Sequence, residues 1–345
     1  MLTAKQNMIE AIRGGKPDRF VNQYEAVYLL FHPWMMHSGS VQKGQVDVVN
    51  AWGVTNSWPA NVPGGFPVHT PEKIVVKDIE HWQDYVHAPV LNFTSEEWAQ
   101  WKAQYDAIDG TQAFKAPFIA PGLFEQTHHL CGMTQALEYY MLNPDEMKDL
   151  IKYLTEFELK LAEGICKNLK PDAIFHHDDF GSEKSTFMRP DMFADYFVEP
   201  YKQIYGYYHD HGVELVIHHA DSYAETLVPY MIDMGIDVWQ GCMRTNNVPE
   251  LIKKYGGKIS FMGYIDNKDV DFPGWTQEDA RKVVRMACDA CGSKYFIPCI
   301  TQGGPGSTFP GTYKALTEEI DKYSEEVFGT KAADIKRLPI QIMFE

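Results

Sequence analysis

The chain has 345 residues, 45% of them hydrophobic, and a formal net charge of −16. That length supports one large core or two modest ones. The acidic balance excludes the basic surface that nucleic acid needs and disfavours a polyanionic substrate. No apolar run approaches the roughly 20 residues of a membrane-spanning helix.

In chain order, the opening MLTAKQNMIEAIRGGKPDR lacks the apolar core of a signal peptide and predicts a short amphipathic helix ended by Gly14-Gly15. RFVNQYEAVY and VDVVNAWGVTNSW each have the β-favouring content of a strand. From about Ala113 the chain alternates regularly. FKAPFIAPG predicts a strand closed by Pro-Gly, and QALEYYMLNPDEMKDLIKYLTEFELKLAEGICKNL a helix interrupted at Asn143-Pro144. DAIFHHDD and RPDMFADYFVEPYKQIYGYYHDHG form the next strand and helix, the helix stopping at Gly212. VELVIHHAD and YAETLVPYMIDMG repeat the pair, as do IDVWQG and NVPELIKKYGG. KISFMGYID with TQEDARKVVRMACDACG, and KYFIPCI with TYKALTEEIDKYSEEVFG, complete the series.

Repeated β-then-α units imply a parallel sheet, and the nearly continuous apolar strands imply that both faces are covered. Six strands from Ala113 onward plus two before it predict an α/β fold of the (β/α)8 TIM-barrel type. It forms a single domain over residues 1–345, with an N-terminal helical extension. A doubly wound sheet is disfavoured, because no glycine-rich phosphate loop follows the first clear strand. The Gly- and Pro-rich loops at 61–71 and 302–311 read as surface connections or lids. The cysteines, Cys131, Cys166, Cys242, Cys288, Cys291 and Cys299, are spread along the chain. Reduced thiols in a cytoplasmic protein are the expectation. Cys288 and Cys291 have CxxC spacing, but they fall on a helix with no second pair, so they read as a buried helix face.

In a TIM barrel the chemistry sits at the C-terminal strand ends. Here those ends carry His176, His177, Asp178 and Asp179, with Glu183 just beyond; His218, His219 and Asp221; Gln240 and Cys242; Asp266; and Cys299. PFIAPGLFEQTHH leads to Glu125, His128 and His129. Imidazole, carboxylate and thiol gathered on one face are the ligand set of zinc. Each histidine taken singly also suits a hydrogen-bonded structural role, and Asp178 and Asp179 suit a helix cap. Residues two apart on a strand share a face, so His219 and Asp221 can reach one metal while His218 points away.

AIRGGKPDRF, HLCGMTQALEYYMLNPDEMKDLI, HHDDFGSEKSTFMRPDMFADYFVEPYKQI, MGIDVWQG, KYGGKISFMGYID and FIPCITQ together resemble the uroporphyrinogen decarboxylase superfamily. The resemblance covers nearly the whole chain and implies a single (β/α)8 barrel. The decarboxylases proper bind an octacarboxylate through arginines in an RQAGRY-type motif near the N-terminus. Here that region reads NQYEAVYLLFHPWMM, without arginine, and buried carboxylates left unpaired are costly.

The chain is more similar to the zinc-containing corrinoid-dependent methyltransferases, of the O-demethylase methyltransferase I type. That branch implies a His-x-Cys zinc pair and a later Cys, which fall on His219, Asp221 and Cys299, with Glu183 as a further oxygen donor. The implied metal ligands are therefore His219, Asp221, Cys299 and Glu183. His219, Asp221, Asp178 and Glu183 are the expected catalytic residues. A carboxylate in place of a thiolate makes zinc a harder Lewis acid, suited to an oxygen substrate.

The resemblance implies methyl transfer from a small methylated substrate, an aryl methyl ether above all, to the cob(I)alamin of a separate corrinoid protein. The cofactors are then Zn2+ and a partner-borne cobalamin. A methylcorrinoid:thiol methyltransferase, a methylamine or quaternary amine methyltransferase, and a non-catalytic corrinoid-protein scaffold are the alternatives. Tyr24, Trp34, Phe124, Trp239 and Tyr264 are the expected substrate-binding aromatics; ordinary core packing is the competing account of them.

Overall fold

The first helix, α1 (Ala4–Ile12), starts at a capping box in which Thr3 and Gln6 satisfy each other's backbone N–H groups. It buries Ala4, Met8, Ala11 and Ile12. Its last carbonyls accept from elsewhere: Ala11 O from Tyr295 N (2.8 Å) and Ile12 O from Ser260 Oγ (3.1 Å). Those donors stand at the start of two strands, so the helical extension closes the N-terminal end of the barrel.

The computed structural model describes residues 1–62, 64–304, 306–339 and 341. Positions 63 and 305 of the two expected loops, and positions 340 and 342–345 of the expected domain, lie outside the described residues. After α1 come β1 (Val27–Leu30), α2 (Pro33–His37), and the short strands β2 (Val48–Val49), β3 (Thr55–Ser57) and β4 (Phe66–Pro67). Helix α3 (Ser95–Ala107) precedes β5 (Phe114–Ile119), which leads to α4 (Leu123–Cys131), α5 (Met133–Leu142) and α6 (Pro144–Leu169). Then follow β6 (Ala173–His177), α7 (Pro190–Phe193), α8 (Glu199–Asp210), β7 (Leu215–His219) and α9 (Val228–Met234). The series ends with β8 (Val238–Cys242), α10 (Val248–Tyr255), β9 (Ser260–Ile265), α11 (Gln277–Cys291), β10 (Phe296–Ile300) and α12 (Thr312–Phe328). No helix of the described residues is long and apolar enough to cross a membrane.

The large sheet runs β1-β5-β6-β7-β8-β9-β10, parallel at every pairing. Curled and wrapped by helices, it is the (β/α)8 TIM-barrel fold, with seven strands among the described residues. The six strands expected after Ala113 are present, and so is the helix break at Asn143. VDVVNAWGVTNSW does not join the barrel. Asn50 Oδ1 accepts from the N–H groups of Trp52 and Val54, folding the segment back on itself. It pairs instead as the antiparallel sheet β2-β3-β4, in the connection after α2.

Closure comes from the lead-in to β1. Gln23 N donates to Pro298 O of β10 (3.3 Å), while β1 itself pairs with β5. The other edge of β1 is covered by the C-terminal segment. Leu29 N donates to Gln341 Oε1 (2.8 Å), the Gln341 amide donates back to Leu29 O, and Tyr28 Oη donates to Pro339 O (2.6 Å). One side-chain amide thus stands where the backbone of a neighbouring strand would.

His32, just before α2, is fully buried; its Nε2 meets Phe118 O at 3.0 Å and its Nδ1 has no partner. Burial lowers its pKa to about 4 against the phenylalanine carbonyl's opposing pull. The unfolded chain therefore binds the extra proton first, and stability is lost as pH falls from about 6.5 toward 4, by about 3 kcal/mol at the limit. Urea unfolding across that window should show the wild-type stability falling more steeply than that of His32→Gln, by close to one proton. Equal slopes would remove His32 from the acid response.

Candidate metal centre

Three neighbouring strands end in register, with His177 opposite His219 and His219 opposite Gln240. The two-residue period of a strand puts these side chains on one face, above Phe175, Ile217 and Val238. The row immediately before them, His176, His218 and Trp239, faces the helices. His176 Nε2 meets Glu158 Oε2 of α6 at 2.8 Å. His218 Nδ1 meets Tyr205 Oη of α8 at 2.8 Å, and its Nε2 meets Asp178 O at 3.1 Å. The Trp239 indole donates to Ala220 O (2.9 Å). Each His-His pair therefore splits into one structural ring and one ring in the mouth of the barrel.

The two mouth rings stack with centres 4.5 Å apart, and each has its Nδ1 engaged. His177 Nδ1 lies 2.8 Å from Glu125 Oε2. His219 Nδ1 meets Gln240 Oε1, whose amide nitrogen donates to Ile300 O (3.3 Å) and Thr301 O (3.5 Å). That anchoring turns the amide oxygen toward His219, so Nδ1 carries the hydrogen and Nε2 the lone pair. Ligand atoms of His177, Asp179 and His219 lie within 4.8 Å of one another. Asp179 is held by Asp221 N, which donates to its Oδ1 (2.9 Å), and Asp221 Oδ2 lies 3.8 Å from His219 Nε2.

The charges are badly matched without a cation. Burial disfavours charge on His177, but Glu125, Asp179 and Asp221 outweigh it and raise its pKa to about 10. Burial and the Asp179 carboxylate push Asp221 up to about 8, with Glu125 adding to the shift and His177 opposing it. Burial also raises Glu125. Burial, then the neighbouring His177, lowers His219 to about 4, leaving a neutral imidazole. Two imidazoles oriented through Nδ1 by a carboxylate and an amide, beside a carboxylate and surplus buried negative charge, fit a divalent metal ion. Such a centre can act as a Lewis acid toward an oxygen.

Of the expected ligands, the structure brings His219 and Asp221 to this centre. Glu183 is elsewhere: its side chain is 46% exposed and paired with Lys268. Cys299 is fully buried with its pKa pushed up by burial, and it is not among the clustered donors. Asp178 has a different occupation. Its carboxylate accepts from Phe124 N (2.9 Å), Glu125 N (2.8 Å) and Tyr201 Oη (2.5 Å), capping α4 from a neighbouring strand. The approach requires Gly122, where a Cβ would come within 2.5 Å of Asp178 and Tyr201.

Among the expected aromatics, Tyr24 enters the barrel, its ring 6.2 Å from Phe175. Trp34 packs against Phe157 of α6, and Phe124 against Tyr140 and Phe187. Trp239 lies against Phe261. Tyr264 lies edge-on to Phe296, with Cys291 of α11 and Arg244 among the charges that act on it. These four pack against other aromatic side chains. The floor is instead Phe118 and Phe175, with ring centres 5.7 Å apart, and Phe175 lies 5.9 Å from His219. His177, Asp179, Glu125 and Gln240 stand among the strand-end residues but without an assigned role in the sequence reading. The legible signal was the pair of His-His dipeptides ending adjacent strands.

Residues 67–323 match the family model for uroporphyrinogen decarboxylase (URO-D). No curated protein matches the chain. Among solved structures, a methyltransferase from Methanosarcina mazei superposes with a TM-score of 0.69 at 13% identity, covering 94% of this chain and 99% of that one. An endo-β-1,4-xylanase of glycoside hydrolase family 10 from Gloeophyllum trabeum gives a TM-score of 0.41 at 10% identity, covering 67% of this chain and 81% of that one. Strand order, closure and a family match over most of the length agree: this chain belongs to the uroporphyrinogen decarboxylase family.

Proposed function

We propose that the chain is a metal-dependent methyltransferase. In this reading it takes a methyl group from a small methyl ether, an aryl ether above all, and passes it to the cobalt(I) of a corrinoid carried by a partner protein. The observation that carries the reading is the donor set itself, His177, Asp179 and His219, which is nitrogen and oxygen without a thiolate. Such a set suits an oxygen substrate, and zinc accepts it. The fold shared with the Methanosarcina mazei methyltransferase is compatible with this activity. Decarboxylation of a polycarboxylate is disfavoured by the crowd of Glu125, Asp179 and Asp221, in which burial and then repulsion from Asp179 already raise Asp221.

Each residue then has a task. His177 and His219 present Nε2 because Glu125 and Gln240 hold their Nδ1 atoms. Asp179 completes the grip, and Asp221 stands beside it at the open side. Phe118 and Phe175 give the mouth an apolar floor that receives a flat ring and excludes water. Bound here, the ion supplies Lewis acidity to the ether oxygen. The methyl–oxygen bond breaks with its electron pair left on oxygen, and the methyl group goes to the corrinoid acceptor.

Metal analysis of the purified protein should find about one zinc per chain, lost in His177→Ala and His219→Ala with the fold retained. Glu125→Gln should weaken binding by roughly 10- to 100-fold in chelator competition, whereas Glu183→Gln should leave it unchanged. Zinc that survives both histidine substitutions places the centre elsewhere. A screen of methyl donors against cob(I)alamin, followed by the corrinoid absorbance, should give transfer from methoxylated aromatics. Transfer from methylamines or methylated thiols alone would sink the ether reading.

A further inference from the structure

Tyr24 sits in the barrel with a hydroxyl group that no other described residue engages. Its backbone is pinned on two sides. The preceding residue, Gln23, donates to Pro298 O of β10 and through its side chain to Tyr313 O (3.3 Å) and Thr317 Oγ1 (3.0 Å) of α12. Tyr24 N meets Tyr313 Oη at 3.4 Å. The ring is thereby held beside Cys299, over the same floor that supports His219, because Phe175 lies 6.2 Å from Tyr24 and 5.9 Å from His219. Four phenols of the core are engaged by contrast: Tyr201 with Asp178, Tyr205 with His218, Tyr196 with Tyr140 O, and Tyr140 with Thr127. The Tyr24 hydroxyl makes no hydrogen bond to another described residue, and the residue is only partly buried.

Its surroundings keep it a donor. Burial raises its pKa well above the usual 10, and the charges that Cys299, Tyr313 and Asp221 would carry raise it further. The phenol is therefore protonated at neutral pH. Phe175 lies under both Tyr24 and His219, and Asp221 Oδ2 lies 3.8 Å from His219 Nε2, so the Tyr24 ring and the donor triad border the same part of the mouth. That space is ringed by carboxylates, and an oxygen that gains negative charge there meets repulsion. A protonated hydrogen-bond donor beside that oxygen offsets the repulsion.

We propose that Tyr24 is a catalytic residue whose phenolic O–H donates a hydrogen bond to the ether oxygen as the methyl group leaves. The inference rests on the methyl-ether reading and deepens it. In the step, the carbon–oxygen bond breaks, both electrons remain on oxygen, the methyl group bonds to the cobalt(I) acceptor, and the tyrosine proton stays on tyrosine. The interaction strengthens only as charge develops, so it lowers the barrier without tightening substrate binding. It favours ethers whose leaving oxygen cannot disperse its charge.

The test compares wild type with Tyr24→Phe, both zinc-loaded, transferring methyl from methoxybenzene or 4-methoxybenzonitrile to cob(I)alamin. The variant should keep its zinc and its KM for both ethers. It should lose about a hundredfold in kcat on methoxybenzene, and much less on the nitrile, whose ring disperses the charge unaided. Equal losses on the two ethers, or a loss confined to KM, would overturn the role and leave Tyr24 as packing. If the wild type binds zinc but transfers from neither ether, the methyl-ether reading fails first, and this inference falls with it.

Discussion

The register between β6 and β7 is the constraint on which the mouth of this barrel depends. A slip of one residue would turn His177 and His219 into the helix layer and bring His176 and His218 into the mouth. The outward row resists that slip. His176 has Glu158 waiting for it on α6, and His218 has Tyr205 on α8 and the Asp178 carbonyl. Stranding such groups without partners costs about 1–3 kcal/mol each. The structural histidines are therefore not spectators of the chemistry, because they fix which neighbours face inward.

Consecutive residues at the end of β6 then divide the work. His177 turns into the mouth, Asp178 reaches sideways to cap α4, and Asp179 returns to the donor cluster. The cap and the donor cluster are linked through Glu125, whose backbone N–H is taken by Asp178 and whose carboxylate is taken by His177. One helix end is thus fastened twice to one strand end. The result is a pre-oriented imidazole that owes its aim to a helix of the preceding β/α unit.

Much of this was legible in the amino-acid sequence, and the failures have physical causes. Alternating β and α segments gave six of the barrel strands, because buried parallel strands are continuous apolar runs. The second early strand failed because a local Asn50 turn outcompeted long-range pairing. At the site, strand alternation correctly separated His219 from His218. The ligand set implied by family likeness then drew attention to Glu183 and Cys299. Glu183 lies in a loop whose path no periodicity predicts, and it ends at Lys268 on the surface. Asp178 and Asp179 are indistinguishable as letters; only the position of α4 shows that one is a cap and the other a donor. The aromatic residues were the least readable, since an aromatic near a strand end packs as well against helices as against a ligand.

The amide of Gln341 on Leu29 has a practical corollary. The seam of the barrel is stitched by the far end of the chain, and the strand it secures is the one that follows Tyr24 and Gln23. Replacing Gln341 by alanine would pull the stitch and loosen the strand that follows Tyr24.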